Sequence, residues 1–329
     1  MEEKKGNDGR LPSLSIEADN LAEAWHRAMI ACYGRGVRAT DPSYQDKIFQ
    51  SFDADINIHV RNPLEEPMRH HLGMIATDLG VVQYQLEMTH GIHDHWIKDP
   101  NDPKDTRWSY TYHKRFASQI PFLLARINQD WKKKKDLSSR KYRFGIWRPK
   151  EDSILEQADP PCFQGGHLRF LKDDNGEWWL NYATEWRSRD LVKAWLENNA
   201  GQTRLMKLLA DKTSDMLGIP IHIGSYIDKN TSLHIYGRYF EKEGADKVIQ
   251  MLKETDYRQF ARPMITDDES HLKGILSAQM HAETIDYGKG LDENALTDLG
   301  YHLERFPYPA EWDTWPKDWD KPVDEAKLK

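Results

Sequence analysis

The 329-residue sequence predicts one α/β domain built on a mixed sheet. Three observations lead there. Stretches with two-residue alternation of apolar side chains are interspersed with stretches of helical periodicity. The two kinds do not follow one another in strict strand–helix–strand order, so a doubly wound parallel sheet is not expected. No internal repeat and no Gly/Ser linker divides the chain. A hydrophobic content of 39% is enough for a sizeable core.

The elements follow in order. Residues 1–14 read as an N-terminal tail, 15–305 as the body of the domain and 306–329 as a C-terminal tail. A helix starts after Asn20, where "NLAE" places Glu23 three residues beyond a capping side chain. Leu21, Ala24, Trp25, Ala28 and Met29 form its apolar stripe. "DADINIHV" alternates Ala54, Ile56, Ile58 and Val60 as a strand. "SQIPFLLARINQDW" is a helix with Pro121 in its first turn. "RKYRFGIWRP" reads as a strand closed by Pro149. "HLRFL", a turn at "DDNG" and "EWWLNYATEW" form a hairpin. "NNAGQTRLMKLLADKTSDMLGIP" is a long helix stopped by Gly218 and Pro220. "SLHIYGRYF" is a short strand and "KEGADKVIQMLKE" another helix. The Trp- and Pro-rich end is either laid over the body or disordered.

Composition narrows the function. A net charge of −7 and a pI near 6.1 argue against a general nucleic-acid binder, while leaving room for a local basic site that holds a small anion. Two distant cysteines make no disulfide framework, which points to a reducing, cytoplasmic setting. The stretch "MEEKKGNDGRLPS" lacks the apolar centre of a signal peptide, and no apolar run approaches the roughly 20 residues of a membrane helix. Twelve tryptophans and fourteen tyrosines can serve core packing or line aromatic pockets.

The segment "PPCFQGG" sets Cys162 between a double proline and a pair of glycines. A cysteine attacks as thiolate, so a nucleophilic Cys162 needs a fixed backbone and positive charge beside it. Pro160 and Pro161 restrict the approach. "EWRSRD" follows one hairpin later, and strand alternation puts Arg187 and Arg189 on one face. Arg187 is the expected partner of the thiol and a bidentate grip for an anion. The bland alternatives are a buried cysteine and a solvated strand face.

"PPC", the hairpin, "RSRD", Asn198 eleven residues after Arg187, and "SLHIY" in this order resemble the thymidylate synthase family. "SSRKYRFGIWRP", "YTYHKRF" and "GRGVRATD" are similar to its more variable N-terminal stretches. The resemblance spans roughly residues 20 to 255. It implies an α+β fold with a large mixed, mostly antiparallel sheet flanked by helices. It also implies a one-carbon transferase that acts on a pyrimidine nucleoside 5′-monophosphate with 5,10-methylenetetrahydrofolate. Cys162 would add to C6 of the base, Glu87 would organise proton transfer through water, and Tyr112 and Asp190 would complete the catalytic set, Asp190 at the pterin. Arg187, Ser188 and Arg38 would bind the phosphate, with Arg35 as the competitor for the N-terminal position. Arg140 and Lys141 would reach across a homodimer to the partner's phosphate, so that the sites are shared. Asn198 would read the base, with Glu197 and Asn199 as neighbours a slip away, and His234 and Tyr236 would hold the ribose.

The chain departs from the family pattern at Phe163, where a histidine is usual, at Trp186, and at "AWLE" before Asn198. The end of the chain does not match the family's closing segment. Methylation of dUMP is the leading expectation. Hydroxymethylation of dUMP, dCMP or CMP is the alternative, and the sugar is open. Two further classes stay in view: a non-catalytic nucleotide binder, and a thiol hydrolase that would need a histidine beside Cys162.

Overall fold

The structure, a computed structural model, describes residues 8–39, 50–73, 78–99, 102, 104–154, 159–264 and 308–313. β1 (Ser13–Ala18) leads into α1 (Leu21–Arg35), β2 (Val37–Ala39) and β3 (Ser51–Val60). Then come β4 (Arg69–His70), α2 (Asp78–His90), α3 (Tyr112–Phe116) and α4 (Ile120–Lys134). β5 (Arg143–Gly145), α5 (Pro149–Asp152), β6 (Phe163–Lys172), β7 (Trp178–Trp186) and β8 (Arg189–Asp190) precede α6 (Trp195–Leu217). β9 (Ile221–Ile235), α7 (Gly237–Lys242), α8 (Ala245–Glu254) and β10 (Ala261–Arg262) complete the body.

One large sheet runs β1-β3-β9-β7-β6-β5, with β2 added to β3 and β8 to β9. The pairs β1–β3, β7–β9 and β8–β9 are parallel and the other four antiparallel. The protein is therefore the expected α/β type, a mixed and mostly antiparallel sheet flanked by helices. Its buried face is built from rows of directly opposed residues. One row is Ala18–Val60–Tyr226–Tyr182–Leu168 and the next is Ile16–Ile58–Asp228–Thr184–Gly166. The third is Leu14–Ile56–Asn230–Trp186–Phe163. α1 packs on β1, β3 and β9, and α6 on β9 and α2. Each large apolar side chain so buried contributes about 1.5–3 kcal/mol. The opposite face carries Glu17, His59, Ile227, Ala183 and His167 in one row, all partly or fully exposed.

Local signals act as read. Asn20 caps α1 by accepting from the Glu23 backbone N–H at 3.1 Å, and the Glu23 carboxylate accepts from the Asp19 N–H at 2.7 Å. Pro121 lies in the first turn of α4, and Gly218 ends α6 at φ 66°.

Four readings are corrected. Ser13 and Leu14, placed in the tail, open β1 and pair with Asp55 and Ile56. β9 runs fifteen residues rather than forming a short strand. Its first half hides because Asp228 and Asn230 occupy positions on the buried face where an apolar alternation would show them. α6 begins at Trp195, and β5 keeps only three of the residues read as a strand. Of the C-terminal tail, residues 308–313 lie on the body: Tyr308 donates to Asp215 at 2.7 Å, Lys212 pairs with Asp313, and Trp312 is buried. The rest of that tail, and residues 265–305 of the body, lie outside the described residues.

Candidate functional site

Cys162 immediately precedes β6 and Arg187 immediately follows β7, at the same end of the hairpin. The Arg187 backbone N–H donates to the Cys162 carbonyl at 2.9 Å. The Arg187 side chain closes the loop: Nε donates to Pro161 O at 3.1 Å, Nη2 donates to Pro160 O, and Asp159 lies 3.5 Å away. From the other side, Gln164 Nε2 donates to Pro161 O at 2.6 Å. Gln164 sits where the β6–β7 register slips, a bulge that bends the strand beside the cysteine. The two glycines also have a cause. A Cβ on Gly165 would collide with the Phe144 carbonyl, and one on Gly166 would lie 2.5 Å from the Phe144 ring. The segment "PPCFQGG" thus encodes a pinned loop on a tightly packed strand start.

Cys162 is partly exposed as a residue. Burial is the largest influence on it and pushes the thiol above its ordinary range; Arg187 pulls it down, Asp159 pushes up and Arg189 pulls down. The resting group is therefore a thiol, whereas the sequence suggested a ready thiolate. The reason is burial, which outweighs the pull of Arg187, a guanidinium also engaged by two carbonyls and Asp159. Among the described residues no histidine hydrogen-bonds this sulfur.

Arg187 and Arg189 do not share a face, because β7 ends at Trp186 and β8 begins a new pairing at Arg189. Arg189 is buried and makes an ion pair with the buried Asp228 at 2.7 Å. Its other nitrogens donate to Asn199 Oδ1 at 2.6 Å and Asn198 Oδ1 at 3.1 Å, and it lies 3.9 Å over the Trp186 ring. Trp195 and Asn230 donate to the second carboxylate oxygen at 2.7 and 2.8 Å. An arginine offers only donors, so it fixes the Asn198 amide with its oxygen inward and its amino group turned elsewhere.

β8 places Asp190 opposite His234, which pairs in turn with Asp53 of β3. Asp190 accepts from the Val192 and Lys193 N–H groups at 2.8 and 3.2 Å and from Tyr239 Oη at 2.5 Å. The His234 and Tyr236 rings meet edge-on at 4.4 Å. Ser232 lies between, donating to Asp53 at 2.9 Å and 3.3 Å from His234 Nδ1; burial pushes the Asp53 carboxyl up. Arg38 in β2 is exposed and lies over the ring of Phe52, its paired residue. Ser188 is half-buried between the two arginines.

Arg140 and Lys141 are not brought here. They precede β5 and are exposed, with His167 donating to Arg140 O at 3.2 Å. His167 is five residues up the strand from Cys162, which sets Arg140 roughly 15 Å from the cysteine end.

A cavity of about 370 Å³ opens beside the cysteine loop, lined by Asp159, Tyr110, Tyr112, Tyr84 and Glu87 among others. Tyr112 stands edge-on to Phe163 and Trp186, the neighbours of Cys162 and Arg187. Burial raises the Tyr110 and Tyr112 hydroxyls, and the Cys162 sulfur adds to both shifts. Glu87 faces His93 at 2.5 Å, and His113 faces Asp94 at 2.8 Å, with all four lining this cavity. Gln164, Asp159, His93 and His113 were not singled out from sequence. The only signal for the last two was the density of histidines in "HGIHDHW" and "YTYHKRF".

No helix among the described residues is long and apolar enough to cross a membrane. No protein-family model matches the chain, and no curated protein matches it. Among solved structures it is similar to the thermostable thymidylate synthase A from Bacillus subtilis, at 14% identity with a TM-score of 0.46, covering 72% of this chain and 85% of that one. The functional reading rests on this chain's own residues.

Proposed function

We propose that the protein transfers a one-carbon unit to C5 of a pyrimidine nucleoside 5′-monophosphate, with Cys162 as the nucleophile at C6, and that methylation of dUMP is the reaction. The observation that carries the reading is convergence. Cys162, Arg187, Asp190, His234, Tyr236 and Arg38 come from separate stretches and match one family's order; the sheet register sets them toward the same end, and an aromatic cavity that holds Glu87 and Tyr112 lies beside the cysteine loop.

The cavity suits a flat, N–H-bearing ring: aromatic walls for stacking, and the carboxylates of Glu87, Asp94 and Asp159 as acceptors. Bound 5,10-methylenetetrahydrofolate supplies the one-carbon unit and, for a methyl product, the hydride. The protein's residues do the rest. The arriving phosphate competes for Arg187, freeing its guanidinium from the loop carbonyls to pair with the dianion. Cys162 passes its proton to water and adds to C6, which makes C5 a nucleophile; the C6–S bond breaks when the product leaves and the thiol is reprotonated. Glu87 takes the C5 proton, directly or through a water. Asn198, its oxygen held by Arg189, offers an N–H donor to the base. Arg140 and Lys141 serve the phosphate in a second copy of the chain, which makes the active form a homodimer. Mixing Cys162→Ala with Arg140→Ala chains then restores activity, whereas no recovery rules out shared sites.

The test is direct. The protein is incubated with dUMP, dCMP, UMP or CMP, each tritiated at C5, and methylenetetrahydrofolate. Release of tritium and a product heavier by one methyl group on dUMP are expected. A hydroxymethyl product without dihydrofolate would redirect the reading to a hydroxymethylase. No release from any of the four would remove it.

A further inference from the structure

The cavity holds a pair that the reading above does not use. His93 Nδ1 lies 2.5 Å from Glu87 Oε1, and the His93 side chain is 1% exposed while that of Glu87 is 22% exposed. Three contacts fix the imidazole. Its ring stacks on Trp96 with centroids 3.6 Å apart and 17° between planes. Trp108 closes the edge at 6.2 Å. Gln83 Nε2 lies 3.2 Å from His93 Nε2. With the Gln83 amide nitrogen as donor, Nε2 is the acceptor and Nδ1 carries the proton toward Glu87.

We propose that His93 is the positioning residue of Glu87. It holds Oε1 by a charge-assisted hydrogen bond and leaves Oε2 as the base that faces the ring. This rests on the reading of Glu87 as the proton acceptor. In that step the C5–H bond breaks, its electron pair stays with the ring, and the proton goes to Oε2; the Nδ1 proton stays on His93. The other titratable groups facing this pair across the cavity are Tyr84, Asp94 with His113, Arg107, Tyr110, Tyr112 and Asp159. Asp94 is already engaged by His113 and Thr111, and Arg107 by Asp105 at 2.6 Å. His93 is thus the cation-forming partner bonded to Glu87.

The experiment compares wild type with His93→Phe, which keeps a ring on Trp96 but loses the donor, and His93→Asn, which keeps a donor. First, a strongly downfield Nδ1–H resonance is expected in the wild-type proton spectrum and moves upfield in Glu87→Gln; its absence in wild type overturns the pair whatever the enzyme does. Second, kcat for tritium release falls roughly tenfold in His93→Phe with KM nearly unchanged, and returns in His93→Asn. A rise in KM with kcat unchanged, or no recovery with Asn, shows packing alone and overturns the proposal. If wild type releases no tritium while the resonance is present, the functional reading has failed and the pairing has not.

Discussion

The two cysteines sit in opposite environments. Cys32 is fully buried in α1, its Sγ 3.4 Å from Leu233 O and 3.6 Å from Phe52 O. Burial and the nearby Asp53 push its thiol far up. Cys162 is partly exposed, on a loop held by Gln164 and Arg187, with burial opposed by a guanidinium. One sulfur is sealed among carbonyls and serves as a small apolar side chain. The other is poised: protonated at rest, with the cation that would ionise it held nearby. Chemistry at a cysteine depends on what surrounds the sulfur, and a single nearby arginine does not by itself make a thiolate.

The largest expected effect separates the two. Cys162→Ala lowers tritium release by roughly four orders of magnitude or more and leaves the denaturation midpoint nearly unchanged. Cys32→Ala does the reverse, with activity retained and stability lower by about 1–2 kcal/mol in urea unfolding. If the two variants behaved alike, the distinction would vanish.

The arginines sharpen the same contrast. Arg189→Met strands Asp228 in the core and should cost about 3–5 kcal/mol, as should Asp228→Ala, while replacing both with Met and Leu recovers much of the loss. Arg187→Ala, with a guanidinium about one-third exposed, changes stability by less than about 1 kcal/mol and removes activity. Urea titrations of the four variants decide it.

A histidine pair that begins on the same helix as Cys32 sets the acid limit. His26 Nδ1 faces His70 Nε2 at 3.3 Å, and burial, then the neighbouring His26 and His71, push His70 down to about 3. Burial lowers His26 as well. Between pH 6.5 and 3 the unfolded chain binds more protons than the folded one, so stability falls as pH falls through that window. At pH 5 the loss from His70 is about 2 kcal/mol relative to neutral pH. Thermal melts at pH 7 and 5 should show it, and His70→Asn should flatten the difference.

The smallest effect is on the thiol itself. Iodoacetamide should label Cys162 and spare Cys32. Its labelling midpoint should rise in Arg187→Ala and fall in Asp159→Asn, because the first loses a cation and the second an anion. Shifts of the opposite sign would mean that these groups do not act on the sulfur.

Much of this was legible in the sequence because it rests on local rules. The Asn20 cap, the strand alternation of Ala54 to Val60, and the hairpin from His167 to Trp186 follow from side-chain spacing alone. The hidden parts are those where polar residues occupy core positions. Asp228 and Asn230 disguised half of β9, and Arg189 looked like a second surface arginine because its partner lies 39 residues away. Asn198 was found by its position after Arg187, but its orientation depends on that same buried guanidinium. The Glu87–His93 and Asp94–His113 pairs come from a stretch with no alternation to read, and only folding brings them to one cavity.

The central claim is a covalent bond between Cys162 Sγ and C6 of a pyrimidine nucleotide. A 5-fluoro nucleotide tests it most directly, since fluorine cannot leave C5 as a proton and the adduct should accumulate. Mass spectrometry of the protein incubated with 5-fluoro-dUMP and methylenetetrahydrofolate should show both groups added to the peptide containing Cys162, and none in Cys162→Ala. An unmodified Cys162 peptide with this and the matching fluorinated cytosine and ribonucleotide analogues would contradict the account.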